Sequence, residues 1–158
     1  MDCTRLGCFT NDCIDFPPEE RLRQKPVAVL ECSQKIPCNP CVDACPVGAI
    51  TVGDNINDIP RIDFQRCTGC GLCLGVCPGL SIFLVHRRDD SGWLTLPYEL
   101  MPPEEGEIVD LLDRRGKSVG RGVVEKIRRL KQHDRTLLIT LRMAGELINS
   151  VRGFRRTA

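Results

Sequence analysis

Four short apolar runs punctuate the first half of the chain, at Val27 to Leu30, Ala49 to Val52, Ile59 to Phe64 and Leu80 to Val85. Each is rich in Val, Ile, Leu or Phe and bounded by loop-forming residues, which predicts β-strands joined by loops and short helices. Ahead of them, residues 1–26 carry Pro17-Pro18 and a charged stretch from Glu19 to Lys25, and an irregular arm is predicted there. Asp89-Asp90-Ser91-Gly92 and Pro102-Pro103 are turn formers, so Arg87 to Pro103 reads as a linker that closes a first module over residues 27–91. In residues 92–158, Glu107 to Asp113 and Ser118 to Ile127 flank Arg114-Arg115-Gly116-Lys117, a hairpin with glycine in its turn, and Thr136 to Leu141 is a third β-prone run. Met143, Leu147, Val151 and Phe154 follow at helical spacing. The second module is therefore expected to be a small β-rich, barrel-like docking unit ending in a C-terminal helix.

A repeat ties the first module together. A shift of 32 residues lays Cys38, Cys41 and Cys45-Pro46 over Cys70, Cys73 and Cys77-Pro78, and Val27 to Leu30 over Ile59 to Ile62. Two copies of strand, cysteine loop, short helix and strand are expected to pair about a pseudo-twofold axis, an α+β arrangement.

The cysteines carry the chemistry. Cys67-Thr68-Gly69-Cys70-Gly71-Leu72-Cys73 followed by Cys77-Pro78 has the C-x2-C-x2-C-x3-C-P spacing of bacterial 4Fe-4S proteins, in which the fourth cysteine crosses to the other cluster. Gly69 and Gly71 are expected to leave room for a cluster and bring backbone N–H groups near its sulfurs. In the first copy the position equivalent to Cys67 is Lys35, and Cys32 stands three residues earlier, giving C-x5-C-x2-C-x3-C-P. The expected ligand sets are Cys32, Cys38, Cys41 and the crossing Cys77 for one 4Fe-4S cluster, and Cys67, Cys70, Cys73 and the crossing Cys45 for the other. Were Cys32 out of reach, the first site would have three thiolates, as a 3Fe-4S cluster does, or would borrow a ligand from the arm. Zinc is disfavoured, because its tetrahedral sites use two separated C-x2-C pairs.

Composition narrows the class. Eleven cysteines and only 4% aromatics imply a module held by metal or disulfide more than by hydrocarbon. With no signal-peptide pattern and no apolar stretch of membrane-spanning length, a cytoplasmic protein without membrane insertion is expected, where thiols serve metals rather than disulfides. A net charge of +1 argues against nucleic acid as a partner. Lys plus Arg against Asp plus Glu are 9 and 12 in residues 1–91 and 13 and 9 in residues 92–158, hence −3 and +4. That asymmetry suits an oriented partner. There is neither a dinucleotide-binding glycine motif nor a paired nucleophile and base, so no catalytic residues are assigned.

These motifs resemble the bacterial-type dicluster ferredoxins over about Val27 to Val85. A narrower resemblance is to the small ferredoxin-like subunits of multi-subunit, flavin-dependent amino-acid dehydrogenases of the proline and hydroxyproline type. It rests on Pro17-Pro18-Glu19-Glu20-Arg21-Leu22, Val27 to Cys32, Ile36-Pro37-Cys38-Asn39-Pro40-Cys41 and the β tail from Val109 to Val124. It implies a non-catalytic electron-transfer subunit of a hetero-oligomer, with flavin and NAD(P) only on flavoprotein oxidoreductase partners. The alternatives are a freely diffusing dicluster ferredoxin and a metal-binding interaction module.

Cys3, Cys8 and Cys13 are left over, as metal ligands, uninvolved thiols or a disulfide. His86 and His133 read as surface or turn residues, and Trp93 and Tyr98 as partner anchors or inter-module packing. Arg128-Arg129 with Lys131, and Arg152 with Arg155-Arg156, read as solvated charge or as a docking face for an acidic subunit.

Overall fold

The computed structural model describes residues 9–157. The arm contains a 3-10 turn at Asn11–Cys13 and a six-residue helix, α1, at Glu19–Gln24, so part of the segment expected to be irregular is ordered. Glu19 and Glu20 occupy the first turn of α1, where carboxylates meet the positive end of the helix dipole, and Arg21 and Leu22 are buried. The elements that follow are β1 (Val27–Leu30), α2 (Pro40–Asp43), β2 (Ile50–Thr51), β3 (Arg61–Ile62), α3 (Leu72–Val76) and β4 (Ile82–Arg88). Then come β5 (Ser91–Tyr98), β6 (Ile108–Asp113), β7 (Ser118–Arg129), β8 (Leu137–Ala144) and β9 (Val151–Arg156).

β2 pairs with β3 as a separate two-stranded sheet. The other seven strands form one antiparallel sheet in the order β1-β4-β5-β8-β7-β6-β9. The expected linker is therefore in part a strand. Asp89 and Asp90 turn, with Asp89 at φ 52°, β5 then runs between β4 and β8 with Leu94 and Leu96 buried, and residues 99–103 leave the sheet. Asp-Asp-Ser-Gly marked a tight hairpin, not a module boundary free of structure, and the sheet continues through it.

The expected C-terminal helix is absent. Met143 lies in β8, Leu147 in a 3-10 turn and Val151 and Phe154 in β9, where Val151 faces Asp113 and Phe154 faces Leu111. These four side chains share one apolar interior because a turn brings two strands back onto it, so a helical period arose from separate elements. The predicted hairpin is present as β6 and β7, with Gly116 at φ 76° in its turn.

No ladder joins the edge strands β1 and β9, so the sheet is open rather than closed. The sheet curls until Tyr98 of β5 stacks on Phe154 of β9, ring centroids 5.0 Å apart. Across the open seam the connection is ionic: Glu31, just past β1, is gripped by Arg152 of β9 and by Arg114 from the β6–β7 turn. The core runs without a break from Val27, Val29 and Leu74 to Val109, Leu138 and Leu141.

Candidate metal centre

Gly71, at φ 89°, begins α3, which carries Cys73, and Pro40 begins α2, which carries Cys41. These two short helices contact each other and bring the two cysteine loops to the same end of the sheet. One cavity, of about 210 Å³, is bordered by Cys32, Cys38, Cys41 and Cys77 together with Ile36, Pro60 and Pro78. A second, tighter one is bordered by Cys45, Cys67, Cys70 and Cys73. Cys77 thus sits with the first loop and Cys45 with the second, each having crossed over.

The electrostatics follow the same grouping. Burial, then the neighbouring Cys77, Cys41 and Cys38, pushes the Cys32 thiol up to about 11, and burial with Cys77 and Cys38 raises Cys41 to about 11. Cys73 is pushed further up by burial and by Cys67 and Cys70. Burial also opposes ionisation of Cys45, but the backbone N–H groups of Ala49, Ile50, Val47 and Gly48 outweigh it and hold that thiol below its ordinary range. Thiols crowded in this way ionise together only against a cation, so loading them with iron releases protons.

The donor set fits iron–sulfur clusters. Backbone N–H groups already point at the sulfurs: Ala28 donates to Cys67 Sγ at 3.4 Å, Ala49 to Cys45 Sγ at 3.2 Å and Ser81 to Cys77 Sγ at 3.4 Å. Among the described residues no group of three or more His, Cys, Asp or Glu is placed to hold a single metal ion. A cubane, which presents a separate iron to each thiolate, suits sulfurs set around a cavity in this way.

A Cβ at Gly69 would lie 2.3 Å from the Pro26 carbonyl oxygen, and one at Gly71 would lie 2.9 Å from Leu138 Cδ1. Both glycines adopt left-handed backbone and pack closely, Gly69 on Pro26 and Gly71 on Leu138 of β8, and both border the second cavity.

Residues 36–79 match the family described as 4Fe-4S dicluster domain. This stretch is an iron–sulfur dicluster domain. It includes seven of the eight cysteines around the cavities and leaves Cys32 just outside. Such a domain carries 4Fe-4S clusters, and the chain is similar over part of its length to ferredoxins. An uncharacterized ferredoxin of Methanocaldococcus jannaschii is 32% identical over 104 residues, 64% of each chain. The isethionate sulfite-lyase activating enzyme of Desulfovibrio desulfuricans is 32% identical over 91 residues, 57% of this chain and 22% of the relative. A subunit of the ion-translocating oxidoreductase complex of Methanosarcina acetivorans is 41% identical over 49 residues, 31% of this chain and 17% of the relative. The chain spans less than two thirds of the length of each of these relatives. No solved structure matches it significantly.

Several supports of the dicluster domain escaped the sequence reading. Arg21, 1% exposed, donates to the carbonyls of Phe64 and Lys25 at 2.7 Å, of Cys67 at 2.9 Å and of Pro26 at 3.3 Å, so one guanidinium fastens the entry to the second loop. His133 is not a surface residue: it is buried against Gly75 of α3, with Nε2 donating to the Leu72 carbonyl at 3.0 Å. His86 is half-buried and its Nδ1 donates to the Leu22 carbonyl at 2.7 Å. Glu31 receives Arg114 through two bonds, of 2.7 and 3.0 Å, and Arg152 through a third. Burial would raise the Glu31 carboxyl, but its bonds to Arg114 and the charge of Arg152 hold it below the ordinary range. Arg152 is thus a buried partner rather than solvated charge, while Arg155 and Arg156 pair with Asp110 and Glu107. Trp93 donates to Glu125, and Tyr98 packs on Phe154. Cys13 is disulfide-bonded, and Cys3 and Cys8 lie outside the described residues.

Proposed function

We propose that this chain is an electron-transfer subunit of a multi-subunit oxidoreductase and binds two 4Fe-4S clusters, one through Cys32, Cys38, Cys41 and Cys77 and the other through Cys45, Cys67, Cys70 and Cys73. The observation that carries this reading is the exchange of Cys77 and Cys45 between the two cavities. When bound, such clusters supply one-electron chemistry, so a pair can discharge a two-electron donor such as a reduced flavin in single steps. The chain's own part is to hold the thiolates, direct N–H groups at them and exclude solvent.

The duplicated architecture is supported by register. Leu30 faces Ile82 and Val29 faces Phe83, while Ile62 faces Ile50 and Arg61 faces Thr51. The second set is the first displaced by 32 positions with the partners exchanged, as a pseudo-twofold axis requires. The bonds Ala49 to Cys45 and Ser81 to Cys77 are displaced by the same amount.

Assignment to an oxidoreductase complex draws on relatives named as subunits of such complexes. The flavoprotein partner and the amino-acid dehydrogenase rest on the resemblance of the Pro17 to Cys41 segment and the β tail. On this reading residues 92–158 are the docking unit and the chain works in the cytoplasm. A freely diffusing ferredoxin is the second reading, favoured by the archaeal relative that is named only as a ferredoxin.

Anaerobic isolation from the native cell tests these readings. Roughly eight irons per chain with matching acid-labile sulfide, together with co-purifying flavoprotein chains, is the expected result. Eight irons on a lone monomer would favour the diffusing ferredoxin, and zinc without sulfide would overturn both.

A further inference from the structure

Of the thirteen Lys and Arg of residues 92–158, Arg114, Arg121, Arg142, Arg152, Arg155 and Arg156 are engaged by carboxylates. The other seven, Arg115, Lys117, Lys126, Arg128, Arg129, Lys131 and Arg135, have no ion pair among the described residues. Lys126, Arg128 and Arg129, at the end of β7, have no ion pair or side-chain hydrogen bond among the described residues. This end of β7 lies on the second cysteine loop. Arg128 Nη2 is 3.3 Å from where a Cβ of Gly71 would be, and the His133 that follows is seated on Gly75. Lys126, Arg128, Trp93 and His86 border a cleft of about 350 Å³ whose wall includes Gly69, next to Cys70, the one exposed cysteine of the eight. The carboxylate in the cleft, Glu125, is already committed to Arg142 at 2.9 Å and to the Trp93 indole N–H at 3.0 Å. Two unneutralised cations and an indole therefore stand over the loop that carries the second cluster's ligands.

We infer that this cleft and the adjoining end of β7 form the docking face for the carboxylate-bearing surface of a redox partner protein, which exchanges electrons through the Cys67 to Cys73 loop. The inference rests on the proposed electron-transfer function. Charge complementarity identifies the occupant: the residues 1–91 half is acidic, and ligation of clusters makes it more so, so a local cationic strip is what an acidic partner can recognise there. Among the eight cysteines around the cavities, Cys70 is also the exposed one, which leaves the second loop open to a partner.

Two measurements on the anaerobic holoprotein decide it. In the first, the reduced protein is oxidised by ferricyanide or by hexaamminecobalt(III), mediators of opposite charge. Lys126→Glu, an exposed site that leaves the Arg128 packing intact, is expected to slow the anionic mediator about tenfold and speed the cationic one, both effects fading with salt. Lys117→Glu on the β6–β7 turn changes net charge equally and is expected to leave both rates near wild type; equal effects of the two substitutions overturn the inference. In the second, carbodiimide is applied to the complex isolated from the native cell, joining lysine amines to partner carboxylates with loss of water. A cross-linked peptide containing Lys126 is expected, and cross-links confined to Lys35 or Lys117 overturn it. Absence of iron and sulfide would instead refute the underlying function, an outcome the metal content reveals before either measurement.

Discussion

Arg21 shows how much one side chain outside the cysteine motifs contributes. Its guanidinium satisfies four carbonyls at the foot of the second loop, and no other described donor replaces it there. Arg21→Met should cost on the order of 3 kcal/mol, because buried acceptors lose charge-assisted bonds that water cannot restore. Anaerobic urea unfolding followed by cluster absorbance would read that as a lowered midpoint, with Arg21→Lys recovering only part of it, since an ammonium cannot span the same acceptors. Cys32 is the other decisive residue. If it completes the first site, Cys32→Ser should remove or convert one cluster, seen as loss of one EPR signal and of iron while the second signal persists. An unchanged iron content and spectrum would take Cys32 out of the ligand set. Seven of the eight clustered cysteines follow from spacing, because chelation demands short fixed intervals. The burial of Arg21 was not legible, since an arginine in a charged hexapeptide carries no mark of burial, and only the arrival of Phe64 and Cys67 from elsewhere in the chain gives it partners.

Among the elements, α3 is the most constrained. It carries Cys73 on one side and Gly75 on the side that meets His133, where an added Cβ would lie 2.1 Å from the imidazole. Gly75→Ala should therefore destabilise the protein by about 1–3 kcal/mol through overpacking, and combining it with His133→Ala should restore part of the loss, a coupling that a double-mutant cycle in urea would measure. The alternation and β-branched content of Val27 to Leu30, Ser118 to Ile127 and Thr136 to Leu141 were sufficient to place strands. Two elements were misread for physical reasons. Ser91–Tyr98 opens beside turn residues and contains Pro97, both of which oppose a strand in isolation, yet β4 and β8 flank it on both sides. Met143 to Phe154 has helical spacing, yet the ladder from β6 to β9 supplies pairing that a lone three-turn helix would lack.

In the molecule taken whole, the sheet runs through both halves of the chain and Glu31 locks its open seam. The carboxylate lies immediately before Cys32 and borders the first cavity, while its arginines come from far along the chain. Glu31→Gln leaves two buried guanidiniums short of a counter-charge and should cost about 3–5 kcal/mol. Thermal unfolding of the holoprotein would show it, and retention of the wild-type midpoint would mean that the seam is held by packing alone. Arg114 also donates to Asn11 of the arm and to the Asn149 carbonyl, so the same contact gathers the arm, the first cysteine loop and the last turn. That convergence gives the β-rich half a direct mechanical hold on the metal centre.

Local pattern was enough to specify the metal chemistry and most of the strands, because ligand spacing, β-propensity and turn residues act between neighbours in the chain. Partner choice was left to folding. Which arginine is buried, whether Leu147 and Val151 belong to one element or two, and where cations stay unpaired all depend on segments far apart in sequence meeting across the curled sheet. Burial and charge pairing are properties of those meetings, and they acquire values only once the chain has closed on itself.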